Sequence, residues 1–432
     1  MNQLKEKLKQ YSFVQKLLPY ERKCKNAAID LRTVPYFIRM SRQKRKEDAV
    51  IKVGFLCQYI PAWNKFEPIY RTMRKNSRFE PMLICVPQQI ENKQLLDPRN
   101  TENDTYSYFV QHGYDALNAL TGPGEWLDLQ ALGLDYVFYT RPYNSYMPEP
   151  YTSAKVKQYA KICSVIYGMN LTKEMFDVTL NTDFYKDIYV YFAETGYAKR
   201  FFESKFPVTT RLNIRHCRFY GMPAFQQILA DRDKPGTSWK FSKNNFRVLW
   251  TPRWTTDPKL GGSNFFAYYQ SILEFAERHQ EMSFLLRPHP LAFPNFIKTG
   301  EMTEEEVAAY KQKIEQMANV CLDNEREYDT TMWESSVMIS DISAIMAEYF
   351  ITGKPIIYCA SNMKLTLAEH TEEMMRGCYV ANTPEQAFAY LEMLQKGEDP
   401  LRQTRQEIIG ATFGEDLSRV SDHIVDALRE LS

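Results

Sequence analysis

Val337-Met338-Ile339-Ser340-Asp341-Ile342-Ser343-Ala344-Ile345-Met346-Ala347-Glu348-Tyr349 is the stretch that decides how this chain folds. Its opening apolar run has the length of a strand covered on both faces. A helix-forming segment follows at once, and the turn between them carries the small polar residues that start helices. A strand that runs straight into a helix is half of a βαβ unit, and repeated units of this kind build a parallel sheet with helices on both faces. Ser343 and the unpaired N–H groups of the following turn form a candidate anion site. A simple N-cap at Asp341 or Ser343 accounts for the same residues.

The same grammar extends in both directions. Upstream, the spacing predicts strands at 50–56, 81–86, 135–139, 162–166, 188–192 and 216–220, with a helix near 64–76. After a polar stretch at 231–245 it restarts, with strands at 246–250, 282–286, 337–340 and 354–358. Helices are predicted at 262–279, 384–396 and 415–431. The reading is a GT-B-like α/β architecture: two doubly wound, Rossmann-like domains facing a cleft, with ligands beyond the carboxyl ends of the strands. The boundaries are 1–48 for a basic helical extension, 49–235 for the first domain and 236–432 for the second.

The chain has 432 residues, with 54 Lys+Arg against 53 Asp+Glu, 44% hydrophobic and 25% charged residues. That is globular composition, and a formal charge of +1 excludes a basic body that coats nucleic acid. No nucleic-acid partner is expected. Aromatics at 14%, with 28 Tyr, are read as core packing ahead of stacking on sugars or bases. Eight Cys with no CxxC spacing, several inside apolar runs such as Phe55-Leu56-Cys57 and Leu83-Ile84-Cys85, read as buried thiols of a reducing compartment. No run of about 18 apolar residues or signal-peptide core is present, which points to the cytoplasm or the inner face of the membrane. Residues 1–48 hold 13 Lys/Arg and 5 Asp/Glu, so they carry +8 and leave −7 for the rest. Leu4, Leu8, Tyr11, Phe13, Val14, Leu17 and Leu18 approximate one apolar helical face. Such a stretch suits either an anionic membrane surface or packing on the body.

The chain lacks GxxxxGK[ST], a GxGxxG after the first strand, HExxH, a close His/Cys cluster and GxSxG. No metal and no cofactor is therefore predicted. In Leu285-Leu286-Arg287-Pro288-His289-Pro290, a strand stops at a cation and two prolines pin the backbone around an imidazole. Such a strand end suits a phosphate, although an ion-paired Arg287 and a loop-capping His289 fit the pattern too. Arg253, in Leu249-Trp250-Thr251-Pro252-Arg253-Trp254, is a second cation just past a strand end.

Taken in order over roughly residues 246–360, these segments and Gly353-Lys354-Pro355-Ile356-Ile357-Tyr358 resemble the C-terminal half of the CDP-glycerol glycerophosphotransferase family, the teichoic-acid and capsule polymer transferases. Met222-Pro223 after Tyr220-Gly221 resembles the turn that precedes that family's nucleotide domain. The resemblance implies a GT-B fold, a C-terminal domain for the CDP-polyol donor, an N-terminal domain for a glycan or lipid-linked acceptor, and peripheral membrane association. By it, Arg253, Arg287, His289, Ser340 and Ser343 belong to the donor phosphates, His289 also to catalysis, and Glu348 to the ribose or base. Ala344 departs from the family, which often has a second hydroxyl residue there.

The first half departs further. A His-Gly-Thr-type segment is expected to carry the general base, and here Tyr167-Gly168-Met169-Asn170 stands in its place. Tyr167 is thus the catalytic candidate of this half, although a phenol with pKa about 10 is a weak base near neutrality. His112 is an alternative. Arg141, Tyr143 and Asn170 are candidate acceptor-binding residues. The implied reaction moves polyol phosphate from a CDP-polyol to a hydroxyl and releases CMP. Glycosyl transfer from a nucleotide sugar, or a non-catalytic GT-B subunit, stays open.

Overall fold

The computed structural model describes residues 12–46, 49–88, 102–323, 325 and 328–432, with the backbone alone for 12–19. It divides into two units. The first holds residues up to Tyr167, Val178–Tyr220 and Ser421–Ser432, and the second holds Gly168–Asp177 and Gly221–Val420.

In the first unit the strands are β1 (Ile51–Cys57), β2 (Phe79–Cys85), β3 (Ala116–Asn118), the small antiparallel hairpin β4 (Leu120–Gly122) and β5 (Glu125–Trp126), β6 (Tyr136–Tyr139), β7 (Lys161–Val165), β8 (Ile188–Ala193) and β9 (His216–Phe219). They form a sheet in the order β3-β2-β1-β6-β7-β8-β9, with every pair parallel. Residues of β6, β7 and β8 are buried without exception, which is why these strands read as unbroken apolar runs. Strand order reverses between β1 and β6, and this reversal opens a crevice at the carboxyl ends.

The second unit repeats the plan with β10 (Phe246–Thr251), β11 (Met282–Leu286), β12 (Val320–Leu322), β13 (Val337–Ser340), β14 (Ile356–Cys359) and β15 (Tyr379–Ala381). Their order is β12-β11-β10-β13-β14-β15, again all parallel, with the reversal between β10 and β13. The abundance of aromatics is spent largely on cores: Phe265 stacks on Trp250, Tyr269 and Phe296 at 5.7, 5.3 and 5.0 Å between centroids.

Several expectations change. The short strands β3, β12 and β15 lie at or next to sheet edges, and with three residues each they leave little periodicity to read. The helix predicted over 262–279 is two, Phe265–Tyr268 and Ser271–Arg278. The last helix, Val420–Leu431, is largely a part of the first unit and not of the second. There, Tyr136 Oη donates to the Leu428 carbonyl at 3.2 Å and Lys161 Nζ to the Leu431 carbonyl at 2.9 Å.

The N-terminal segment is likewise integral to the first unit from Asp30 onward. Leu4, Leu8 and Tyr11 lie outside the described residues, and the side chains of Phe13, Val14, Leu17 and Leu18 are not described. Helices Ser12–Leu31 and Val34–Arg42 follow, and Asp30, Phe37 and Met40 are fully buried. Asp30 Oδ2 accepts the N–H groups of Val208 and Thr209 at 2.8 Å each, and Oδ1 accepts the Thr209 hydroxyl at 2.7 Å. Arg215 Nη2 stands 3.9 Å from Asp30 Oδ1, and its guanidinium lies between the rings of Phe37 and Phe206 at 4.0 and 3.9 Å. Among the described residues no helix is long and apolar enough to cross a membrane, and all eight cysteines are free, six of them buried.

Removing the Asp30 carboxylate would strand a buried cation and two backbone donors. Asp30→Ala is expected to destabilise the protein by about 3–5 kcal/mol, read as a lowered midpoint in chemical denaturation.

Candidate functional site

The second unit's crevice is organised by Asp341, which follows β13 and is 3% exposed. Its Oδ2 accepts the Arg253 backbone N–H at 2.8 Å and the Ser263 hydroxyl at 2.9 Å. Its Oδ1 accepts the Asn264 backbone N–H at 3.1 Å and the Asn264 side-chain amide at 3.3 Å. Burial raises the Asp341 pKa, and these bonds oppose the rise. Asn264 also donates to the Cys359 carbonyl at 2.9 Å, so one carboxylate joins the carboxyl ends of β10, β13 and β14.

Arg253 is half-buried, and its Nη1 donates to the Ile342 carbonyl at 2.6 Å. Burial lowers its pKa, while Asp341 acts to raise it. Gly261 makes room for it: with φ at +107° it has a glycine conformation, and a Cβ there would lie 2.8 Å from Arg253 Nε.

His289 is attached to the same loop, its N–H donating to the Pro252 carbonyl at 3.2 Å. The Leu291 N–H donates to its Nδ1 at 3.1 Å. That bond assigns the proton of the neutral ring to Nε2. Desolvation and then the charge of Arg253 lower the His289 pKa to about 4, a shift that the residue's exposed surface works against. At neutral pH His289 is therefore a hydrogen-bond donor at Nε2.

The hydroxyls predicted at this turn have different fates. Ser340 is 0% exposed; its Oγ donates to the Asp341 carbonyl at 2.8 Å and accepts from Thr251 Oγ1 at 2.8 Å. It clasps β10 to β13 from within the fold. Ser343 is half-buried at the N-cap of helix Ala344–Phe350, yet its side chain makes no capping bond. The cap reading thus holds for its backbone alone, and its hydroxyl lies 3.4 Å from the Ser340 Oγ.

Arg287 is ion-paired, as one of the two readings had it. Its Nη1 lies 2.6 Å from Oδ2 of Asp323, whose side chain is 1% exposed, and its guanidinium sits over the Tyr328 ring at 4.7 Å. Tyr328 Oη donates to Glu348 Oε2 at 2.6 Å, and Glu348 is 2% exposed. Arg287 and Glu348 thereby belong to one connected set. Sequence reasoning missed Asp323 and Tyr328; the signal for Asp323 is a carboxylate directly after the apolar Val320-Cys321-Leu322. Lys354 is architectural: its Nζ donates to the carbonyls of Trp333, of Ser335 at 2.6 Å and of Met332 at 3.4 Å.

In the first unit, Arg141, Tyr143 and Tyr167 come together beyond β6 and β7. The Arg141 guanidinium lies 4.0 Å from the Tyr59 ring centroid, 5.0 Å from Tyr146 and 6.0 Å from Tyr167. The Tyr143 and Tyr167 hydroxyls are 3.3 Å apart. Burial, followed by the neighbouring Tyr143, pushes the Tyr167 phenol well above its ordinary range, and Arg141 only partly opposes this. Burial thus keeps the Tyr167 phenol protonated, and either hydroxyl of the Tyr143–Tyr167 pair can donate. Asn170 belongs to the second unit and is 5% exposed. His112 Nδ1 donates to the Tyr108 carbonyl, 2.7 Å away on the surface. Among the described residues no group of three or more His, Cys, Asp or Glu could hold a metal.

Two parallel doubly wound units, each with its polar residues gathered at the point of strand reversal, define the GT-B class. Solved structures of the same fold include an S. aureus MnaA–UDP co-structure, 11% identical with TM-score 0.57, covering 88% of this chain and 96% of that one. The UDP-GlcNAc 2-epimerase from Neisseria meningitidis bound to UDP-GlcNAc is 14% identical with TM-score 0.58, covering 88% and 99%. The wall teichoic acid polymerase TagF is 13% identical with TM-score 0.51, covering 96% and 97%. A comparison with curated protein sequences finds no match. The profile of the CDP-Glycerol:Poly(glycerophosphate) glycerophosphotransferase family matches residues 170–400, more than half of the chain, and the protein belongs to that family.

The electrostatics make His289 a checkable point. A histidine NMR titration is expected to find it neutral down to about pH 4, protonated at Nε2. Arg253→Gln should move that midpoint upward, because the neighbouring positive charge is removed.

Proposed function

We propose that the protein transfers a polyol phosphate, glycerol phosphate or ribitol phosphate, from a CDP-polyol to a hydroxyl of a cell-surface glycan or lipid-linked acceptor, releasing CMP. The observation that carries this reading is the gathering of Arg253, His289, Ser343 and Arg287 at the strand reversal of a unit that lies almost wholly within the family match. Beyond the carboxyl ends of a doubly wound sheet, such a set suits a diphosphate.

In this reading the second unit holds the donor and the first unit the acceptor. Arg253 and Arg287 supply fixed positive charge as charge builds on the departing CMP. His289 Nε2–H and the Ser343 hydroxyl supply hydrogen bonds to phosphate oxygens. Glu348 serves the ribose, together with the Tyr328 it already holds. Arg141, Tyr143 and Tyr167 orient the acceptor, and Asn170, as a second-unit residue, is kept only as a candidate contact. The reading places the protein in the cytoplasm at the inner face of the membrane, with the basic N-terminal stretch toward anionic lipid. Its support is the charge of residues 1–48 and the free thiols.

Thermal melting against CDP-glycerol, CDP-ribitol, CMP, UDP-glucose and GDP-mannose tests the donor. A ligand at about 100 times its Kd adds about 2.7 kcal/mol of stability. Stabilisation by the cytidine compounds alone is the expected result, and a response only to uridine or guanosine sugars would replace the reading by glycosyl transfer.

Ser343→Ala is expected to weaken CDP-glycerol binding about tenfold with little change in melting temperature, because the lost hydroxyl is outside the cap. Arg287→Ala is expected to weaken binding and also to cost about 3–5 kcal/mol, because Asp323 is left buried without its cation. Isothermal titration and denaturation measure the two effects separately.

A further inference from the structure

The first unit has a buried amide that the reading so far leaves unused. Gln58 directly follows β1, at the reversal between β1 and β6, and is 0% exposed. Its backbone N–H donates to Thr140 Oγ1 at 3.3 Å. The Thr140 N–H and hydroxyl both donate to the Leu56 carbonyl, at 3.1 and 3.3 Å. The next residue on each side is in contact as well, with the Arg141 guanidinium 4.0 Å from the Tyr59 ring centroid. Gln58-Tyr59 and Thr140-Arg141 are thus joined residue by residue, and Gln58 belongs to the strand ends that bear the Arg141 cluster.

The side chain of Gln58 takes no part in this pairing. Among the described residues neither its Oε1 nor its Nε2 has a hydrogen-bond partner. An amide buried in this way costs stability that an apolar side chain of similar shape does not. Phe55, Leu56 and Cys57, the three residues before it, are fully buried, so an apolar residue would suit the position. An amide there, at the strand reversal where doubly wound sheets bind ligands, is explained by a partner that arrives with the ligand.

The chemistry of that partner follows from both ends of the amide being unpaired. A phosphate or carboxylate offers only acceptors and an ammonium group only donors, whereas a hydroxyl offers both. A hydroxyl-bearing ligand is also what the neighbouring rings of Tyr59, Tyr146 and Tyr167 suit, since such crevices combine aromatic walls with a few placed polar groups.

We propose that the Gln58 amide is a specificity-determining group of the acceptor crevice, hydrogen-bonding the hydroxyl next to the one that attacks the donor. The preferred acceptor then ends in a vicinal diol, such as a glycerol unit. The inference rests on the polyol-phosphate reading above. Because the amide is enclosed, binding requires the side chains over it to shift, and only a ligand that pairs both of its ends offsets that cost. An acceptor without the second hydroxyl leaves the amide unpaired and is rejected, which is how a site built to bond a hydroxyl discriminates most strongly.

The test compares the wild-type protein with Gln58→Met, which keeps the unbranched shape and removes the amide. CDP-glycerol is the donor. The acceptors are a short glycerol-phosphate oligomer ending in a glycerol diol and the same oligomer ending in propanediol, which keeps the primary hydroxyl and lacks its neighbour. The wild-type protein is expected to prefer the diol end by about a hundredfold or more in kcat/KM. In Gln58→Met that preference should fall below about tenfold, with the Kd for CDP-glycerol unchanged by isothermal titration and a melting temperature equal to or above that of the wild type.

A Gln58→Met protein with the wild-type preference overturns the proposal. One that melts well below the wild type, or does not fold, overturns it too, because the amide then has a structural partner. A wild-type protein that binds CDP-glycerol but shows no preference between the two oligomers, or transfers to neither, overturns this inference and leaves the donor reading intact. A wild-type protein that neither binds nor turns over any CDP-polyol overturns both.

Discussion

The carboxylate of Asp341 is the constraint on which the second unit's site depends. Four donors from two loops converge on it, and without it Arg253, Ser263 and Asn264 would lose their common anchor. Its burial is unfavourable for charge, but a carboxylate that accepts several hydrogen bonds keeps that charge at a tolerable cost. The consequences spread outward. Arg253 can lie along its loop only because Gly261 has no side chain, and His289 is held neutral beside it partly because Arg253 is there.

The two units use one architecture for opposite chemistries. Each reverses its strand order once, and each gathers its polar side chains at the carboxyl ends near that reversal. In the second unit these are guanidiniums, a neutral imidazole and a hydroxyl, a set fit to meet an anion. In the first they are phenols around one guanidinium. Fold alone therefore says little about either site, and the side chains at the strand ends decide what each crevice can do.

Much of the fold was legible. The central strands are covered on both faces and appear as apolar runs, so β1, β6, β7, β8, β10, β11 and β13 could be read within a residue or two. The edge strands β3, β12 and β15 could not, since three residues carry no period and their pairing comes from a neighbour distant in sequence. The last helix reads as amphipathic, but nothing in its own residues says which sheet it covers. Lys161 and Tyr136, far upstream, make that choice by binding its final carbonyls.

For the site, sequence order and residue type determined the family, the grouping of Arg253, Arg287 and His289 and the strand ends that bear them. Only the tertiary structure separated Ser340, fully buried, from Ser343, half-buried, which look alike in sequence. It also kept the Tyr167 phenol protonated by burial and paired Arg287 with Asp323. The reason is common to all of these. A chain's local pattern fixes which elements form, whereas hydrogen-bond partners, burial and hence charge depend on residues that meet only after the sheet has assembled.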